Sequence, residues 1–233
     1  MFQFRKFSIH DDQSTMKVGT DAVLLATLAS PSNKPYSILD IGTGSGVIAL
    51  ILAQRYALAQ IDAIDIDARS IAQASQNFCQ SPWSSRLRAI LCDAQQYQTQ
   101  SPYDLIVSNP PYFQNSLKAP DQRRTLARHN DTLPFSQLIH SVNRLLAPEG
   151  TFSCILPVVE SSILVRNAQS SGLHLASIIH IHNRPENDPI RTITTFTRQS
   201  TPTVEVNHSI RNSDNTYSDW YRQLTSDFYT HLR

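Results

Sequence analysis

Two rhythms of apolar and polar residues run along the chain. Short apolar runs closed by turn residues read as strands, and longer stretches with apolar positions three and four apart read as helices. Strands are expected at Ser37–Ile41, Gln60–Ile66, Arg86–Cys92, Tyr103–Ser108, Thr151–Leu156, His174–His182 and Ile190–Thr197. Helices are expected at Ala22–Ala29, capped by Thr20-Asp21, and at Val47–Tyr56, Ala68–Cys79, Phe135–Leu146, Val158–Ser170 and Tyr217–Leu232. Phe2–Ile9 reads as a loose strand pair, and residues 200–216 as polar and irregular. Strands alternating with helices predict βαβ units and a mostly parallel sheet covered on both faces. The last two strands are joined by too few residues for a crossover helix, so they should pair antiparallel. The 233 residues read as one α/β domain, with 1–35 as an N-terminal lid and 200–233 as a tail.

Composition narrows the function. The chain is 40% hydrophobic and 17% charged, which rules out disorder for most of its length. Lysine and arginine number 20 against 19 acidic residues, so a nucleic-acid partner must be held by a local patch. The longest apolar stretch, Val47–Ala53, is far below the ~20 residues of a membrane span. No secretory signal is visible, and the 3 cysteines form no framework, so a cytoplasmic protein is expected, without a membrane partner. His174, His180, His182, His208 and His231 lack a ligand-like grouping, and no metal is expected.

Glycine is used sparingly, yet Gly42, Gly44 and Gly46 are half of the 6 in the chain. They stand between a strand and a helix, where a strand end and a helix N-terminus open on the same ligand. The order differs from G-x-G-x-x-G, since Val47 holds the third fingerprint position, and Asp40 would repel a pyrophosphate. It suits a cationic ligand. Asp65 ends the next strand, 23 residues after Gly42, near the ~20 expected of an acid that binds ribose hydroxyls. Asp67 should cap the following helix, and Asp62 should face solvent. Asp93 follows the third strand of the series.

The fourth strand runs into Asn109-Pro110-Pro111-Tyr112. Two prolines stiffen this backbone. The Asn109 side-chain oxygen and the Pro110 carbonyl can accept both hydrogens of one planar NH2 group, while Tyr112 offers a face for stacking. A conjugated NH2 is a poor nucleophile, and oriented acceptors favour the charge that builds on nitrogen as it attacks. The loop that follows carries Lys118, Arg123, Arg124 and Arg128 against Asp121 and Asp131, a local patch suited to RNA phosphates.

Asp40-x-Gly42-x-Gly44-x-Gly46 resembles motif I of class I methyltransferases, and Asn109-Pro110-Pro111-Tyr112 resembles their motif IV for nitrogen conjugated to a planar system. Lys17-Val-Gly19-Thr-Asp21 resembles a block of the bacterial tRNA1(Val) adenine-37 N6-methyltransferase family, as do Ala127-Arg128-His129 and Asp227-Phe228-Tyr229. Ala22 stands where that family often has glycine, and the tail runs past its usual end. The resemblance implies a Rossmann-like, seven-stranded sheet with a terminal antiparallel hairpin, and a monomeric enzyme. It implies S-adenosyl-L-methionine as cofactor, S-adenosyl-L-homocysteine as product and tRNA as substrate. Asp93 would then accept from the adenine amino group of the cofactor, and Lys17, Gly19 and Asp21 would belong to its pocket or lid. Methylation of a protein glutamine amide, or a non-catalytic binding module, are the alternatives. Only 39 residues precede Asp40, too few for the helical domain that glutamine methyltransferases normally carry.

Overall fold

A computed structural model describes residues 1–14, 17–31, 33–111 and 133–230. After a two-stranded ribbon, β1 (Phe2–Gln3) and β2 (Ser8–Ile9), comes helix α1 (Thr20–Leu28). Then follow β3 (Ser37–Ile41), α2 (Val47–Arg55), β4 (Gln60–Asp65), α3 (Ala68–Cys79), β5 (Leu87–Leu91) and β6 (Tyr103–Ser108). The second half holds α4 (Phe135–Leu145), β7 (Leu146–Leu156), α5 (Val158–Ser170), β8 (His174–His182), β9 (Pro189–Thr197), β10 (Val204–Ser209) and α6 (Asp219–Thr225).

The main sheet has the order β10-β8-β9-β7-β6-β3-β4-β5. Strands β3 to β7 are mutually parallel, and β9 lies antiparallel between β7 and β8. The expected seven strands and hairpin are therefore present. An eighth strand is added, because Val204–Ser209 pairs parallel with β8 and extends the edge. This corrects the reading of 200–216 as irregular. An exposed edge strand needs no apolar run, so its polar sequence hid it.

Helices cover both faces. Val23, Leu24 and Leu25 of α1, Ile48 and Leu52 of α2, and Phe78 of α3 pack on one face. Leu138, Ile139 and Val142 of α4 and Leu164 of α5 pack on the other with Phe152 and Phe196. Helix α2 packs against both α1 and the sheet, which is why Val47–Ala53 is buried all round rather than on one stripe.

Three smaller expectations are corrected. Helix α1 starts at Thr20 with Gly19 as its N-cap, so Asp21 lies in the first turn and no side chain caps it. The C-terminal helix stops at Thr225, because Phe228 and Tyr229 leave it to dock on the N-terminus, where Phe4 bridges to Tyr229. Asp62 is buried, not solvent-facing. Arg88, its partner across the β4–β5 ladder, donates to both its oxygens at 2.6 and 2.7 Å, and Tyr97 and Tyr103 donate to one of them.

Among the described residues no helix is long and apolar enough to cross a membrane.

Candidate active site

Every parallel strand opens its carboxyl end on the same edge of the sheet, and the candidate residues gather there. The edge holds a cavity of about 1660 Å³. Gly42, Thr43, Gly44, Asp65, Ile66, Asp93 and Asn109 line it, and so do Lys17, Gly19 and Asp21.

The glycine loop is built by close approach. Gly42, Gly44 and Gly46 all have left-handed φ, at 74°, 55° and 85°. At Gly46 a Cβ would also lie 2.5 Å from the Phe78 ring, so only glycine lets α3 pack this tightly on the loop. Gly42 N and Thr43 N donate to Ile64 O at 2.9 and 3.1 Å, which binds the loop to the end of β4.

Asp65 completes the loop from the neighbouring strand. Its Oδ2 accepts from Gly44 N at 2.9 Å and its Oδ1 from Asp67 N at 2.9 Å. Partial burial raises its pKa, opposed by these backbone donors. Asp65 also lines the cavity, where a carboxylate can accept from a ligand hydroxyl. Asp67 caps α3 by accepting from Arg69 N and Ser70 N, as expected. Asp93 accepts from Gln95 N at 2.9 Å and keeps its place on the cavity wall.

Asp40 and Gly46 are set back from the cavity. Asp40 is fully buried behind Thr43, whose hydroxyl donates to its Oδ2 at 2.7 Å. Its Oδ1 has no hydrogen-bond partner among the described residues. Burial, with Asp65 nearby, pushes its pKa up to about 7. Asp40 therefore acts on the cavity through its charge and through Thr43, while Gly46 faces Phe78.

Asn109 stands at the end of β6 with 9% of its surface exposed. Its Oδ1 is buried without a hydrogen-bond partner among the described residues. A buried acceptor left unpaired costs about 1–3 kcal/mol, and such a cost at a cavity wall marks a ligand contact. Pro110 is buried behind it and Pro111 reaches the cavity. Tyr112, Lys118, Arg123, Arg124 and Arg128 lie outside the described residues.

The N-terminal block lines the cavity with Lys17, Gly19 and Asp21. Lys17 Nζ donates to Asp11 O at 2.7 Å. Asp21 forms a half-buried ion pair with Arg191 of β9 at 2.6 Å. Arg191 was not singled out by sequence, since nothing in Ile190–Thr197 marks its partner 170 residues away. Ile66, a large apolar side chain left 63% exposed beside Asp65, also went unnoticed. It offers an apolar floor for a flat ring. Asn183, Tyr217 and Tyr221 complete the far wall. His180 and His182 bond to Glu205 and Asn207 of β10, away from this wall. Among the described residues no cluster of three or more His, Cys, Asp or Glu could hold a metal.

Comparison with known proteins gives this geometry a family. The family described as methyltransferase small domain matches residues 13–155. A protein of Phocaeicola vulgatus named tRNA1(Val) (adenine(37)-N6)-methyltransferase is 42% identical over 231 residues, covering 99% of this chain and 98% of its own. One of the same name from Vibrio campbellii is 40% identical, covering 98% of this chain and 95% of its own. The chain belongs to the tRNA1(Val) (adenine(37)-N6)-methyltransferase family. Solved structures agree on its class I methyltransferase fold. A predicted O-methyltransferase of Agrobacterium tumefaciens superposes with a TM-score of 0.69 at 18% identity, covering 89% of this chain and 96% of its own. A type I restriction-modification methyltransferase subunit of Streptococcus thermophilus gives 0.62 at 15% identity, covering 91% of this chain and 52% of its own.

Proposed function

We propose that this protein methylates N6 of an adenine in tRNA, at position 37 of tRNA1(Val), with S-adenosyl-L-methionine as donor. The names carried by its relatives support the substrate. The observation that carries the chemistry is the unpaired, buried Oδ1 of Asn109 on the wall of the cavity that Asp65 and the glycine loop share.

The residues fit that donor. Asp65 can take the ribose hydroxyls, Ile66 the face of the adenine ring and Asp93 its amino group. The carboxylates along this wall suit a molecule that carries a sulfonium and an ammonium. When bound, the cofactor supplies a methyl group activated by the positive sulfur.

The chain's own residues then hold the target. Asn109 Oδ1 and the Pro110 carbonyl accept from the two hydrogens of the adenine amino group, which turns the nitrogen lone pair toward the methyl. As the new bond forms, positive charge builds on that nitrogen, and these two acceptors stabilise it most at that moment. No base need act beforehand, because the proton leaves after transfer. Tyr112 would stack on the base once it is turned out of the anticodon loop. Lys118, Arg123, Arg124 and Arg128 would contact tRNA phosphates. Action on tRNA would place the enzyme in the cytoplasm.

Incubation with isotope-labelled S-adenosyl-L-methionine, tRNA and cell protein, followed by mass spectrometry of both fractions, tests the reading. Label on N6-methyladenine in tRNA is expected. Label on a glutamine amide, or none in either fraction, would overturn it.

A further inference from the structure

The cavity exceeds what one small molecule needs. Sites for ligands of that size span ~300–1000 Å³, against about 1660 Å³ here. Its two walls differ in chemistry. Asp65, Asp67 and Asp93 stand on the side of the glycine loop, while Asn183, Arg211 and Tyr217 stand on the side of β8 and β10. The second wall follows from topology. Strand β10 runs parallel to β8, so the residues just past both strands emerge at the same edge as the glycine loop. Arg211 N donates to Asn183 O at 3.0 Å and fixes the two exits side by side.

Beyond them the turn at Asn215 organises two guanidinium groups. Its carbonyl accepts from Arg211 Nη1 at 2.7 Å, and its side-chain oxygen accepts from Arg184 Nη2 at 3.1 Å. Asn215 holds φ at 71°, the single non-glycine residue in the left-handed region among those described. The Arg211 guanidinium lies over the Tyr217 ring, 4.2 Å from its centroid, which fixes its plane. Arg184 Nε is buried without an acceptor among the described residues, so the protein satisfies this group only in part. Of the three acidic side chains in these turns, Glu186, Asp188 and Asp214, two are engaged elsewhere. Glu186 accepts from Ser213, and Asp214 from Thr216. Arg211 lines the cavity and stacks on an aromatic ring, and Arg184 is held beside it by the same Asn215; guanidiniums oriented in this way match the chemistry of phosphodiester oxygens.

We infer that Arg184 and Arg211, held by Asn215, bind backbone phosphates of the RNA substrate next to the nucleotide that enters the cavity. The inference rests on the proposed action on tRNA and assigns RNA contact to a wall separate from the 113–133 loop.

Arg184→Gln, Arg211→Gln and Asn215→Gly test it. The last keeps the left-handed turn and the carbonyl for Arg211 but releases Arg184. An anticodon stem-loop RNA is titrated by fluorescence anisotropy over a range of salt. Each arginine variant should lose three- to tenfold in RNA affinity at 0.15 M salt and about 0.7–0.9 of the log–log salt slope. Asn215→Gly should weaken RNA binding without changing the slope by more than the Arg184 variant does. Cofactor affinity by calorimetry should stay within twofold, which also shows that each variant is folded. Parent-like RNA affinity and slope in both arginine variants, with a parent that methylates tRNA, would overturn the inference alone. A parent that neither binds nor methylates tRNA would instead sink the function proposed above, and this inference with it.

Discussion

The Asn77 carboxamide pairs with both backbone groups of His10. Its Oδ1 accepts from His10 N at 2.9 Å, and its Nδ2 donates to His10 O at 2.8 Å. The second Nδ2 hydrogen goes to Ser45 O in the glycine loop, also at 2.8 Å. One fully buried side chain on α3 thus ties the N-terminal segment to the loop that shapes the cavity. Gln73, one turn earlier on α3, accepts from Gln13 N at 3.0 Å and lengthens the seam.

Asn77→Ala should therefore leave three backbone groups unpaired. The expected loss is about 2–3 kcal/mol of stability, from denaturant unfolding. Cofactor affinity should fall about tenfold by calorimetry, while the transfer rate at saturating cofactor stays near the parent's. A stability loss with unchanged cofactor affinity would make Asn77 structural only.

Much of this arrangement was legible in the sequence, for physical reasons. Ser37–Ile41, Ala68–Cys79, Tyr103–Ser108 and Val158–Ser170 are elements expected, because each is a buried run or stripe closed by turn residues, and His174–His182 is one expected from a half-buried apolar run. The glycine loop, Asp65 and Asn109 were readable because ligand sites at parallel strand ends follow chain order. Cross-strand partners were not. Nothing near Asp62 announces Arg88, Tyr97 and Tyr103, and nothing near Asp21 announces Arg191. Asp40 carries the motif's signature, yet only the structure sets it behind Thr43.

Asp65 should be the main polar contact of the cofactor. Asp65→Ala removes an acceptor for the ribose hydroxyls and the partner of Gly44 N, so cofactor binding should weaken by roughly 2–4 kcal/mol. Asp65→Asn should lose less, since its oxygen can still accept. NAD should not bind to the parent, because the third fingerprint glycine is missing and a pyrophosphate on the glycine loop would be opposed by the negative charge of Asp65 and, from behind Thr43, of Asp40. Titration calorimetry with each ligand measures all three, and an unchanged Kd for the alanine variant would remove Asp65 from the site.

Asp40 gives a pH dependence of definite sign. Its folded pKa, about 7, lies above the unfolded value of 3.8. Between about pH 4 and 7 the folded chain keeps a proton there that the unfolded chain has lost. Stability should therefore fall as pH rises through that window and level off above it, by an amount on the order of 4 kcal/mol. Asp40→Asn should flatten the fall between about pH 4 and 7 in denaturant titrations. A cationic ligand on the glycine loop favours ionised Asp40, so its binding near pH 7 should release a fraction of a proton. Calorimetry in buffers of different ionisation enthalpy detects that release. Equal pH profiles for parent and variant would show that Asp40 is not protonated in the folded chain.

Asn109 separates binding from chemistry. Among the described residues its Oδ1 is buried without a partner, so the cost of burying it is already met in the folded state. The interaction it awaits strengthens as the target nitrogen becomes positive. Asn109→Ala should slow methyl transfer by roughly 10²–10³, the usual cost of losing one oriented polar group at a reacting centre. Asn109→Asp keeps the acceptor but adds a negative charge in a buried place, and should recover part of the rate where that carboxylate is ionised. Cofactor affinity should survive both changes, because the glycine loop and Asp65 are untouched. Tyr112→Ala should instead weaken RNA binding by ~1–3 kcal/mol through a lost stack, and Tyr112→Phe should be mild. Single-turnover rates at saturating tRNA and cofactor distinguish these effects. Transfer at the parent rate in Asn109→Ala would reduce the Asn109–Tyr112 motif to a strand-ending turn.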